Sequence, residues 1–180
     1  EVLERINDQT SLIIINSPGN PTGGVIPRKD IEKWVIGLEA YPNVTILSDE
    51  IYSRLLYGKQ KHTSFLEFPS IRSRLIVLNG WSKTYAMTGW RLGYSVWPNR
   101  LLEYANRLCV NNHSCVNTAS QFAGLAALKG SQNVVDEMLL EFDKRRNFIV
   151  NALNKIPGIS CKEPSGAFYV FPNIKNTGLS

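Results

Sequence analysis

The sequence predicts an α/β fold built on a mostly parallel sheet, and three observations predict it. Short, unbroken apolar runs at residues 12–16 (LIIIN), 44–47 (VTIL) and 75–79 (LIVLN) have the length and β-branched content of buried strands. The stretch between the first two has helical period, so strand, helix and strand follow in turn as a βαβ unit with a right-handed crossover. Each run also ends in polar, hydroxyl- or glycine-rich sequence, at the end of the strand where ligands bind in open α/β sheets.

Taken in order, 12–16 is followed by SPGNPTGG, a dense turn signal that delivers Asn20 to a loop at the strand's C-terminal end. Residues 28–40 place Ile31, Trp34, Val35 and Leu38 on one helical face before the breaker Tyr41-Pro42-Asn43. The strand at 44–47 ends in SDEIY, which puts Asp49 at the same sheet edge as Asn20. Residues 54–73 read as a surface excursion. Lys83 then falls on the turn between the strand at 75–79 and a second strand at 91–97, and Gly80, Ser82, Thr84, Thr88 and Gly89 crowd that turn with small and hydroxyl side chains that let an anionic ligand approach the backbone. Leu101, Leu102, Ala105 and Leu108 mark a helix, 111–117 a polar loop, and 118–129 another helix. Val135, Leu139, Phe142, Ile149 and Leu153 mark a long helix ending at Pro157-Gly158, and 168–171 reads as a strand.

The composition narrows the class. A chain of 180 residues with 43% apolar content forms one medium domain, with room for a second small lobe. No apolar run approaches the about 18 residues of a membrane span, and the charged first ten residues do not resemble a secretory signal, so the cytoplasm is expected. Three widely spaced cysteines, Cys109, Cys115 and Cys161, suit neither a disulfide framework nor a zinc ligand set; reduced thiols and no metal are expected. The net charge of +5 is scattered, and its one cluster, Lys144-Arg145-Arg146, lies in a helical pattern as a solvated face, so no nucleic-acid partner is expected. The chain starts at Glu1 without methionine and stops in the loop-like NTGLS, and is read as an internal piece of a longer protein.

Candidate chemistry gathers at the strand ends. A lysine beside a strand is ordinarily a solvated charge, an Asn-Pro ordinarily a turn, a carboxylate after a strand ordinarily a surface charge or cap, and a tyrosine such as Tyr52 ordinarily core. His62 and His113, isolated in sequence, read as surface or packing residues. Three motifs change the balance. Ser82-Lys83-x7-Arg91-x-Gly93, with AMTGWRLGY at 86–94, resembles the cofactor-lysine signature of class I and II aminotransferases that use pyridoxal phosphate, the bacterial and archaeal aspartate aminotransferase subgroup especially. NPTG at 20–23 and SDEIY at 48–52 resemble two further motifs of that family, whereas Trp81 is bulkier than the residue usual at its position.

The resemblance implies a transaminase moving an amino group between an amino acid and a 2-oxo acid through a lysine-bound pyridoxal 5'-phosphate Schiff base. Lys83 would carry the cofactor and shuttle the proton, Asp49 would pair with the pyridine nitrogen, and Tyr52 and Asn20 would hydrogen-bond the phenolic oxygen. Arg91 and Ser82 would bind the phosphate. It further implies a three-layer, doubly wound, mostly parallel sheet, with residues 1–133 part of the large cofactor-binding domain. Residues 134–180 would be the linking helix and the start of a smaller α+β C-terminal domain. A homodimer with shared active sites is implied too, the polar loop 111–117 turning His113, Ser114 and Asn117 toward the partner. The loop that grips the phosphate, the ring that stacks on the pyridine and the arginine that binds the substrate carboxylate are not located here, so the chain alone is expected to be inactive. Two other readings stay open: a carbon–sulfur β-lyase on the same scaffold, and the aminotransferase-like sensor domain of a transcription regulator.

Overall fold

The computed structural model describes residues 2–178; Glu1 and the Leu179-Ser180 end of NTGLS lie outside the described residues. In chain order the elements are β1 (Leu12–Asn16), α1 (Arg28–Leu38), β2 (Thr45–Asp49), β3 (Leu75–Gly80), the single turn α2 (Trp81–Thr84), β4 (Gly93–Val96), α3 (Asn99–His113), α4 (Thr118–Lys129) and α5 (Asn133–Leu153). The sheet order is β1-β2-β3-β4, with β1, β2 and β3 parallel and β4 antiparallel to β3. The result is the expected mixed α/β fold with a parallel-dominated sheet. The connection through 81–92 carries only the single turn α2 and a 3-10 turn in place of a crossover helix, and the chain returns antiparallel alongside β3.

Ile31, Val35 and Leu38 of α1 pack on Ile15, Ile46, Leu75 and Val77 of the sheet, and Phe65 and Ile71 complete this core. The last two correct the reading of residues 54–73 as a surface excursion, since Leu55, Tyr57, Phe65 and Ile71 are all buried there. Phe65 and Ile71 sit in short 3-10 turns, Phe65–Glu67 and Pro69–Arg74, whose spacing has neither helical nor strand period. Ser64 and Glu67 close the first of these turns as a capping box. A second core joins Tyr52, Leu55 and Ala167 to Leu139 and Phe142 of α5 and to Tyr169.

Residues 168–171 are not a strand. The segment is irregular, and isolated bridges flank it, Leu56 to Gly166 before it and Ser160 to Asn173 after it. Ala167, fully buried, has φ 56, a left-handed value incompatible with a continuous strand. Nor is 111–117 wholly a loop. α3 runs through His113, with Asn111 Nδ2 donating to the Arg107 carbonyl at 2.7 Å, and breaks at Ser114. Asn117 is the N-cap of α4, its side chain accepting from Ser120 N at 3.1 Å. Cys109 and Cys115 are exposed and Cys161 buried, all as free thiols. Among the described residues no helix is long and apolar enough to cross a membrane, and no three His, Cys, Asp or Glu side chains cluster as a metal site.

Candidate active site

The site begins with strand register. Asn16 lies opposite Asp49 at the C-terminal ends of β1 and β2, and Asn16 Nδ2 donates to the Asp49 carbonyl at 3.1 Å. Asn16 Oδ1 accepts from Asn20 N at 2.6 Å, so one side chain fastens the Asn20 loop to the end of β2. Gly23 holds the loop's far side: its carbonyl accepts from Ser165 N and Gly166 N, both at 2.9 Å. Its φ is +66, and an added Cβ would lie 2.3 Å from Pro164 Cβ, so glycine is required twice over.

Asp49 Oδ1 accepts from Ile51 N at 3.1 Å, which fixes the carboxylate over the turn that carries Tyr52. Tyr52 is buried, and its hydroxyl lies 2.7 Å from that of Tyr169. Its phenol is held well above the ordinary phenol pKa by burial, then by the hydrogen bond and charge of Tyr169 and the charge of Asp49, while a hydrogen bond from the Asn20 side chain pulls the other way. Asn20, Asp49 and Tyr52 thus act on one another.

Lys83 joins them from the third strand. β3 pairs with β2 through Asp49 and Leu78, and α2 follows at once, with Lys83 half-buried in it. Its Nζ lies 5.9 Å from the centre of the Tyr52 ring and 5.6 Å from that of Phe168, within reach of both ring faces. β3 and β4 approach so closely that a Cβ on Gly80 would meet Gly93 Cα at 2.9 Å and the Leu92 carbonyl at 3.0 Å. Trp81 is accommodated by α4: its Nε1 donates to the Gly124 carbonyl at 3.0 Å, and its ring meets Tyr94 edge-on at 5.7 Å.

Ser82, half-buried, precedes Lys83 in α2. Arg91 is exposed at the entry to β4 with φ 52, and its Nη1 donates to the Thr88 carbonyl of its own loop at 3.1 Å. The structure therefore brings Asn20, Asp49, Tyr52 and Lys83 together with Ser82 beside them, and places Arg91 on the same connection with its guanidinium turned onto that loop.

Sequence reasoning missed two features. Phe168 and Tyr169, over 100 positions from Tyr52, close the site; the one signal was an aromatic pair behind Gly166-Ala167. The other is Glu50, which is buried: its Oε1 accepts from Ser48 Oγ at 3.0 Å, Ser64 Oγ at 3.0 Å and Phe65 N at 3.1 Å, and its Oε2 lies 2.9 Å from His62 Nε2. His62 is not isolated.

Residues 1–178 match the model of the family described as aminotransferase class I and II. The chain belongs to that family. It is similar, at 41% identity over 182 residues, to an aspartate aminotransferase of Pyrococcus horikoshii, the match covering 100% of this chain and 46% of that protein. It is 39% identical to aromatic-amino-acid aminotransferase 2 of Thermococcus litoralis, over 100% of this chain and 46% of the relative. Among solved structures, the aspartate aminotransferase of Rhizobium meliloti superposes with a TM-score of 0.94 at 34% identity, over 97% of this chain and 44% of that one. The chain thus spans about half the length of the curated relatives it matches.

Proposed function

We propose that the complete protein is a pyridoxal-phosphate-dependent transaminase that moves an amino group between an amino acid and a 2-oxo acid. The observation that carries this reading is the Lys83 amine, flanked by the Tyr52 and Phe168 rings at the sheet end that also presents Asp49 and Asn20. The donor set fits the cofactor group by group. It offers an amine for the aldehyde, a carboxylate for the ring nitrogen, the Tyr52 hydroxyl and Asn20 amide for the phenolic oxygen, and Ser82 with Arg91 for the phosphate. To bind the phosphate, Arg91 would exchange its hydrogen bond to the Thr88 carbonyl for one to the phosphate oxygens.

Bound there, the cofactor supplies an electron-poor ring that delocalises the charge left when a proton leaves the substrate α-carbon. Lys83 Nζ would hold the cofactor through its aldehyde carbon and, once freed by the substrate amine, would take up and return the proton of the substrate α-carbon. Asp49 would keep the ring nitrogen protonated by direct ion pairing. The rings of Tyr52 and Phe168 flank the amine and limit where it can swing.

The similarity to transaminases named for aspartate and aromatic amino acids supports transamination over elimination. We assign residues 1–133 to the large cofactor-binding domain and 134–180 to the linking helix and the start of the small one. The complete protein works in this reading as a cytoplasmic homodimer with shared active sites.

The test is reduction of the complete protein with borohydride in the presence of pyridoxal phosphate, followed by peptide mapping. The label is expected on Lys83, and Lys83→Ala is expected to abolish it and to lower turnover by roughly 10³-fold or more. A label on another residue would overturn the assignment.

A further inference from the structure

Tyr52 and Tyr169 are 117 positions apart, yet their hydroxyls lie 2.7 Å from each other. Their rings meet edge-on at 5.7 Å, and the Phe168 ring packs against both, at 5.5 Å from Tyr52 and 4.8 Å from Tyr169. The backbone makes this meeting a built feature. Ala167 N donates to the Leu55 carbonyl at 2.8 Å and Tyr57 N to the Ser165 carbonyl at 3.1 Å, while the Tyr57 hydroxyl donates to the Ala167 carbonyl. Arg146 of α5 adds a clamp, donating from Nη1 to the Pro164 carbonyl at 2.8 Å with its guanidinium 4.5 Å from the centre of the Tyr57 ring.

Resting on the function proposed above, we propose that Tyr169 is a positioning residue for Tyr52: its hydroxyl donates to the Tyr52 oxygen and leaves the Tyr52 proton directed at the cofactor's phenolic oxygen. Of two paired hydroxyls only one donates to the other. Among the described residues, Tyr52 is the only hydrogen-bond partner of the Tyr169 hydroxyl, and either oxygen can be the donor, so once the Tyr52 proton is turned to the cofactor the proton between the two is that of Tyr169. Tyr52 has other neighbours, with Asp49 facing it from β2, Asn20 from the loop after β1 and Lys83 from α2. In the chain alone the hydrogen bond and charge of Tyr169 hold the Tyr52 proton more tightly; with that proton turned to the cofactor's phenolic oxygen, Tyr169 becomes the donor of the pair, and a hydroxyl that accepts a hydrogen bond is a stronger donor in its turn.

The experiment is an absorbance titration of the complete protein loaded with pyridoxal phosphate, in wild type, Tyr52→Phe, Tyr169→Phe and the double variant. A donor to the phenolic oxygen stabilises its ionised form, so losing donor strength raises the pKa of the cofactor band. Tyr169→Phe removes one oxygen and keeps the ring packing; it is expected to raise that pKa by roughly half a unit. Tyr52→Phe is expected to raise it further, and the double variant to match Tyr52→Phe alone. Fluorotyrosine at position 169, a more acidic phenol of nearly the same size, is expected to lower the pKa, a sign that lost packing cannot produce. An unchanged pKa in Tyr169→Phe, or additive shifts in the double variant, would overturn the proposal. A wild-type protein without a titrating cofactor band would overturn the function on which it rests, and the proposal with it.

Discussion

Glu50 follows Asp49 directly, yet it is only 4% exposed and serves the fold from the protein interior. Burial alone would raise its carboxyl pKa; the hydrogen bond and charge of His62, with the donors Ser64 Oγ and Phe65 N, outweigh burial and hold it below the ordinary 4.5. A carboxyl depressed in the folded state contributes stability that is fully present above the unfolded value and is lost as pH falls through the lower folded one. Wild type should therefore lose unfolding free energy steeply below about pH 4.5, whereas Glu50→Gln should have a flatter acid limb. His62→Ala should cost roughly 2 kcal/mol at neutral pH, because it leaves a buried charge short of its partner. Urea unfolding at several pH values checks both, and equal acid slopes in wild type and Glu50→Gln would remove the pair from the stability of the fold. The contrast with the site residues explains what was legible at this scale. Asn20, Asp49 and Lys83 each stand in contiguous sequence beside a strand end, where local pattern reveals them. The bonds from Glu50 to Ser64 and from Tyr52 to Tyr169 are made across irregular backbone, and no period in the sequence announces them.

Among the elements, α1 depends on a residue far outside it. Arg74 is buried; its Nη2 donates to the Leu38 carbonyl at 2.7 Å and its Nη1 to the carbonyls of Tyr41 at 2.7 Å and Val44 at 2.9 Å. The last carbonyls of a helix lack an intrahelical partner; here the Leu38 carbonyl accepts from Tyr41 N at 2.9 Å, and one guanidinium adds a second donor while joining the end of α1 to the turn into β2. Burial lowers the pKa of that guanidinium, which nonetheless stays charged. Arg74→Ala takes this donor from all three carbonyls, of which those of Leu38 and Tyr41 keep a backbone donor, and should cost roughly 2 kcal/mol, a fall of about 4–8 °C in the thermal midpoint. Arg74→Lys should recover only part of this, because one ammonium cannot span the same fork. A midpoint unchanged by Arg74→Ala, measured by circular dichroism, would mean that water satisfies those carbonyls equally well. β1, α1, β3, α4 and α5 were legible because period and length agree in each. The 3-10 turns after Tyr52 and the strap at 164–171 were not, because tertiary contacts rather than a repeating pattern set their backbone.

At the scale of the whole molecule, the helices keep much apolar surface uncovered. Leu108 of α3, Phe122 of α4 and Phe148 of α5 are 65%, 69% and 75% exposed, and Ile14 of the edge strand β1 is 67% exposed. Single exposed apolar residues are ordinary, but a series of them along several helices and a sheet edge marks surface that another body covers. The matched relatives are about twice as long as this chain; in the homodimer proposed above a second copy covers part of this surface. A two-fold dimer buries such surface in one self-complementary patch. The complete protein is therefore expected to run at twice its chain mass in light scattering and to bind pyridoxal phosphate tightly, whereas residues 1–180 alone should self-associate without a fixed stoichiometry and bind it weakly. Diluting the complete protein should cut activity in step with the loss of dimer if the active sites are shared. A monomer with full activity would refute shared sites, and residues 1–180 binding the cofactor as tightly as the complete protein would show that Asn20, Asp49, Tyr52, Ser82, Lys83 and Arg91 are sufficient by themselves.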